Sequence, residues 1–240
     1  MTTLSETAAD PYGEPRGRLA AQLAARIQRR WRAEVLAIGV RGSLAHEDDR
    51  DGTDVELIVV TYRPGTGPIP ALQRIDGHIV DLAVSAQHDL LAQARTLTVR
   101  WPLLADRYLH VRPLYDEVGW LAGLRDAHLA RLAEATSREF NGLARQAWCG
   151  SWSLFQRAIR SGQWHDEDGA LLLVAEARTA AAVTEGLLGR TYFRSTADAI
   201  RRAAVADLDL VELRARLDQH AAELAKRGGP VDGTIEDLLK

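Results

Sequence analysis

The run Thr53-Asp54-Val55-Glu56-Leu57-Ile58-Val59-Val60 places two carboxylates two residues apart at the start of an otherwise apolar segment. In a strand, residues i and i+2 share a face, so Asp54 and Glu56 point the same way. Adjacent carboxylates repel, and burying them costs several kcal/mol unless a cation lies between them. A divalent metal is the usual cation, and bridging phosphates is its usual use. Just upstream, Gly39-Val40-Arg41-Gly42-Ser43 ends in a glycine and a hydroxyl. Backbone N–H groups and a serine hydroxyl of that kind suit phosphate oxygens. A lone Asp-x-Glu pair is common on a solvated strand face, and Gly-Ser alone reads as a plain turn. Only together with a further acid do they point to chemistry.

That acid is Asp81, inside His78-Ile79-Val80-Asp81-Leu82-Ala83-Val84, which reads as another strand. A carboxylate within such a run is costly unless it is paired or metal-bound. Gly-Ser, then Asp-x-Glu on one strand, then Asp on a second, resembles the nucleotidyltransferase superfamily, and within it the kanamycin nucleotidyltransferases. The resemblance runs from Ala37 to about Asp116. It takes in Ala37-Ile38-Gly39-Val40, Gly42-Ser43-Leu44, Asp54-Val55-Glu56, the Asp81 strand, Trp101-Pro102-Leu103 and Pro113-Leu114-Tyr115-Asp116. A weaker likeness continues at Gly186-Leu187-Leu188-Gly189-Arg190-Thr191-Tyr192.

The 240 residues suffice for one large domain or two small ones, with 46% hydrophobic and 26% charged residues. A net charge of −3 argues against a general nucleic-acid binder, which usually carries a basic face. No run approaches the roughly 18 apolar residues that span a bilayer. The first sixteen residues lack the apolar core of a signal peptide. Cys149 is the only cysteine, so no intramolecular disulfide or cysteine zinc site can form. These features point to the cytoplasm.

Residues 1–16 read as a frayed arm. Leu19, Leu23, Ala24, Ile27 and Trp31 recur at helical spacing and predict a helix over 17–33. Strands are expected over 35–41, 54–62, 77–85 and 109–115, with a helix over 87–97 and a loop over 63–70 rich in proline and glycine. From residue 117 onward no strand is expected. Helices over 117–134, 137–160, 167–188, 195–205 and 208–227 suggest an up-and-down bundle. The predicted class is α+β, with a catalytic head over 1–116 and a helical domain over 117–240.

In nucleotidyl transfer a hydroxyl attacks the α-phosphorus of a nucleoside triphosphate and pyrophosphate leaves. Charge accumulating on the phosphoryl oxygens calls for Mg²⁺. Asp54 and Glu56 are the expected metal ligands, and Asp81 completes the site either as a ligand or as the base. Gly42 and Ser43 are expected on the β- or γ-phosphate. His46 stands where relatives commonly have Arg or Lys, so it would hydrogen-bond a phosphate while neutralising it poorly. Glu47, Asp48, Asp49 and Asp51 form an acidic loop, read either as a solvated loop or as an attractor of a cationic acceptor.

The resemblance implies ATP as the nucleotide, an aminoglycoside-like acceptor and a homodimer. It weakens in the helical half. Where that family has glutamates facing the antibiotic, Trp148-Cys149-Gly150-Ser151-Trp152-Ser153-Leu154-Phe155-Gln156-Arg157 has no acid. Spacing places neither Glu139 nor Glu176 at the site, while Arg157 can stand for a family lysine. The base is therefore expected to be Asp81, and the acceptor less cationic or more aromatic than kanamycin. Trp148, Trp152 and Phe155 share a helix face, as a core stripe in the first reading and a stacking wall in the second. His110, His128, His165 and His220 lack metal-ligand spacing. The alternatives are another small-molecule or protein acceptor, or a catalytically silent nucleotide-binding regulator.

Overall fold

In a computed structural model, residues 15–48 and 53–239 are described. The chain divides into two compact units, the first formed by residues up to 96 and 107–131, the second by 97–106 and 132 onward.

The first unit is built on a five-stranded mixed sheet of order β3-β4-β2-β1-β5. Its strands are β1 (Val35–Arg41), β2 (Val55–Thr61), β3 (Ala71–Ile75), β4 (His78–Ala86) and β5 (Arg112–Tyr115). β1 runs antiparallel to β2 and β5, β3 antiparallel to β4, and β2 parallel to β4. Alternation along β2 sorts the core. Val55, Leu57 and Val59 pack with Leu19, Ala20, Ala24 and Ile27 of α1 (Pro15–Arg30). Ile58 and Val60 face the other way, onto Leu90 and Ala94 of α3 (Gln87–Ala94) and Leu121 and Leu124 of α6 (Trp120–Glu134). The single-turn α2 (Gly42–Ala45) follows β1 and buries Leu44.

Asp116 explains why α6 begins where it does. Its two carboxylate oxygens accept the Trp120 and Leu121 backbone N–H groups at 2.8 and 2.9 Å, satisfying donors that a helix start leaves open. The start of α6 thus belongs to the sheet unit, whereas the expected boundary lay at residue 116. The short helices α4 (Trp101–Leu104) and α5 (Asp106–Leu109) and the edge strand β3 were not expected from sequence. The strand expected from residue 109 begins at Arg112.

The second unit is helical. α7 (Ser137–Gln163) and α8 (Glu167–Leu188) are its long members, joined by α9 (Thr196–Arg202), α10 (Leu210–Lys226) and α11 (Ile235–Leu238). Thr136, Asp166, Ser195 and Asp209 cap the first four through their side chains. α4 packs here: the Phe193 N–H donates to the Pro102 carbonyl at 2.7 Å, and a Cβ on Gly186 would lie 2.8 Å from the Pro102 Cβ. The Trp-Pro-Leu segment and the Gly186 turn are therefore neighbours. The α+β class holds, with a mixed sheet unit and a helical unit. No helix among the described residues is long and apolar enough to cross a membrane.

Candidate active site

The ladder brings the charged residues together. Arg41 on β1 lies opposite Glu56 on β2, and Glu56 lies opposite Asp81 on β4. Laterally paired residues share a sheet face, so Arg41, Glu56 and Asp81 form a row across three adjacent strands about 5 Å apart. This row is the rim of the face that carries Ile58 and Val60. Asp54, one residue before β2, is exposed, while Glu56 and Asp81 are half-buried.

Gly42 sits against this row. Its φ of +65° is a conformation that side chains disfavour, and a Cβ there would lie 2.6 Å from Glu56 Oε1. Glycine is thus required twice, by the turn and by the carboxylate resting on it. Ser43 Oγ donates to Thr53 Oγ1 at 3.1 Å. Arg16, buried on α1, donates through Nη1 to Thr53 Oγ1 at 2.6 Å and to the Thr53 carbonyl at 2.9 Å. This clasp fixes the residue immediately before Asp54.

Burial raises the Glu56 pKa. Arg41 and Arg107 oppose the shift, and the nearby Asp81 and Asp54 add to it. Three acids therefore act on one another here. Their oxygens are not all within 4.8 Å of one another. Burial, then Arg107, lowers the Arg41 pKa, while Glu56 and Asp81 pull it upward. Arg41 stays charged, since guanidinium does not deprotonate in proteins. Its buried Nε has no hydrogen-bond partner. Burial also raises the Tyr108 pKa, against the charge and hydrogen bond of Arg107.

His46 packs against His110, with ring centroids 4.5 Å apart. Glu47, from the acidic loop, is exposed and lies 3.6 Å from Arg112. Asp49 and Asp51 lie outside the described residues.

On the helical side, Trp148 and Phe155 are core residues. Trp148 Nε1 donates to the Leu217 carbonyl at 2.7 Å, and Trp152 stacks on Trp148 at 5.4 Å beneath the Arg214 guanidinium. The stripe packs as core. Glu139 is half-buried and Arg157 is exposed. Glu176 lines a cavity of about 950 Å³ within the helical unit, together with Gln146, Gly150, Leu154 and Val183.

Sequence reasoning missed Arg16, Thr53, Arg107 and Tyr108 as members of this neighbourhood, and left the aim of Arg41 open. Only the strand register, which no local pattern carries, reveals Arg41 opposite Glu56. Arg16 resembles any surface arginine at a helix start.

No protein-family model and no curated protein matches the chain. Among solved structures, the chain is similar to a nucleotidyltransferase-like protein from Exiguobacterium sibiricum 255-15. The two are 16% identical, with 86% of this chain and 77% of that one covered and a TM-score of 0.47. A likeness of that size assigns no activity, and the functional reading rests on the residues themselves.

Proposed function

We propose that this chain is a Mg²⁺-dependent nucleotidyltransferase, moving a nucleoside monophosphate, AMP from ATP, to a hydroxyl of a small acceptor with release of pyrophosphate. The observation that carries the reading is the row Glu56–Asp81, with Asp54 beside it and the Gly42 turn against the Glu56 carboxylate. All-oxygen donors and crowded negative charge fit a hard divalent cation. Asp54 and Glu56 would hold Mg²⁺, which when bound offsets charge on the phosphoryl oxygens and the leaving group.

The chain's own residues do the rest. Gly42 allows phosphate oxygens to approach the backbone closely, and the Ser43 hydroxyl hydrogen-bonds them. His46, beside His110, donates a hydrogen bond to the phosphates. Asp81 takes the proton of the acceptor hydroxyl as its oxygen bonds to the α-phosphorus. The bond from that phosphorus to the bridging oxygen breaks, and pyrophosphate carries away the electron pair. The Arg16–Thr53–Ser43 clasp keeps the Gly-Ser turn and the metal strand in fixed register.

The resemblance of the motifs supports an aminoglycoside-like acceptor, and a homodimer and a cytoplasmic location belong to the same reading. A second acceptor class, less cationic or more aromatic, is favoured by the absence of an acid between Trp148 and Arg157. The test is pyrophosphate release with ATP and Mg²⁺ across aminoglycosides and across neutral and aromatic hydroxyl compounds, with mass spectrometry of each. A gain of one AMP on one class is expected. No addition to any acceptor, or addition that persists in both Asp54→Ala and Glu56→Ala, overturns the proposal.

A further inference from the structure

A triphosphate brought to this rim meets three acids, so the metal alone must offset both sets of negative charge unless the protein adds cations. Among the described residues, Arg41 and Arg107 lie within charge range of Glu56. Arg41 directly precedes the Gly42–Ser43 turn, shares a sheet face with Glu56 and Asp81, and is half-buried. Among its nitrogens, Nε is buried and lacks a hydrogen-bond partner. Such a group costs free energy until an acceptor reaches it or the side chain turns to meet one. Arg107, on α5, is exposed and lies within charge range of Arg41 and of Tyr108, a core residue next to it in sequence.

Two guanidinium groups held within charge range of each other repel. The neighbouring carboxylates answer part of that charge, yet no ion pair within 4 Å joins Arg41 or Arg107 to Glu56 or Asp81 among the described residues. A pair of cations that is collected but not consumed by the adjacent acids is an anion receptor beside a metal site. Guanidinium suits this role because its planar fork meets two phosphate oxygens at once.

We infer that Arg41 and Arg107 together receive the phosphate tail of the nucleotide. This assignment rests on the nucleotidyltransferase reading and deepens it by naming the residues that select a triphosphate. Before nucleotide arrives, Arg41 lies opposite Glu56 on the ladder with no ion pair between them among the described residues. On binding, its guanidinium turns to phosphate, and Glu56 would be left as a metal ligand. No bond is made or broken in this exchange.

The test measures binding, not turnover. ATP and adenosine are titrated calorimetrically into the full chain with Mg²⁺ present, using wild type, Arg107→Gln and Arg41→Gln. Each variant is expected to weaken ATP binding roughly tenfold to hundredfold, the worth of a charge-assisted hydrogen bond, and to leave adenosine binding unchanged. The dependence of ATP affinity on salt should also flatten in each variant. Arg107 is exposed, so Arg107→Gln reports even where Arg41→Gln unfolds. ATP binding in wild type with unchanged affinity in the folded variants overturns the assignment and leaves the nucleotidyltransferase reading standing. Equal weakening for ATP and adenosine overturns it too, because that marks general damage. Failure of wild type to bind ATP at all overturns both.

Discussion

Gly42→Ala separates the fold from the chemistry. The substitution has two effects of different kinds. Alanine at φ +65° costs roughly 1–2 kcal/mol of backbone strain, partly offset by about 0.4–1 kcal/mol from a stiffer unfolded chain. The net loss is about 1 kcal/mol, or 2–4 °C in melting temperature for a chain of this size. The second effect is steric. The new Cβ would lie 2.6 Å from Glu56 Oε1, so the carboxylate must retreat by roughly 1 Å to reach ordinary contact. Because Oε1 ends a flexible side chain, that retreat is cheap in stability. It is costly in catalysis, where a misplacement of about 1 Å can remove about a hundredfold of rate, near 2.7 kcal/mol of barrier. The assay pairs urea unfolding with nucleotide transfer to the acceptor found by mass spectrometry, in Gly42→Ala, Glu56→Ala and the double variant. The double variant should be no slower than Glu56→Ala alone, since the displaced group is already absent. Transfer by Gly42→Ala within a few-fold of wild type refutes the reasoning. So does a double variant slower than Glu56→Ala by a further hundredfold, because the glycine would then act by some other route.

Three further outcomes are expected. Glu56 has a raised pKa, chiefly from burial, so its contribution to stability is full below the unfolded carboxyl range and is lost as pH rises through the folded value. Glu56→Gln without divalent ions should therefore resist urea better than wild type at neutral pH, and the gap should close near pH 4; an unchanged gap refutes it. Glu185 accepts from His220 Nε2 at 2.8 Å, a hydrogen bond that lowers its pKa, so its contribution is present above the unfolded pKa and lost as pH falls through the folded one. Glu185→Gln should cost no more than about 1 kcal/mol at neutral pH, this side chain being half exposed, and nothing near pH 3, as read by urea unfolding at both values. Trp148→Phe should lose roughly 0.5–1.5 kcal/mol in the same assay, the worth of the lost hydrogen bond to the Leu217 carbonyl, which keeps its helical donor.

The carboxylates were legible because they violate their surroundings. Asp81 within a strand of Ile, Val and Leu, and Glu56 at the head of another, are costly unless they have a purpose, and cost shows in composition alone. β1, β2 and β4 were legible for the complementary reason, as apolar runs bounded by polar turns. What could not be read was lateral order. The parallel pairing of β2 with β4, which seats Glu56 beside Asp81, and the antiparallel pairing that seats Arg41 opposite Glu56, are tertiary facts. β3 escaped notice because its exposed Leu72, Gln73 and Arg74 follow a stretch of proline and glycine and alternate weakly. The beginning of α6 belongs to the sheet unit because Leu121 and Leu124 find their apolar partners there, a preference that a break in element type does not announce.

The clasp of Ser43, Thr53 and Arg16 has a consequence for how such a chain can change. It moors the start of β2 to α1 and α2 at once, so the seat of Asp54 is held from two sides, by two hydrogen bonds from Arg16 and one from Ser43. A substitution that loosens one mooring leaves the other, and the carboxylates behind the knot keep their station.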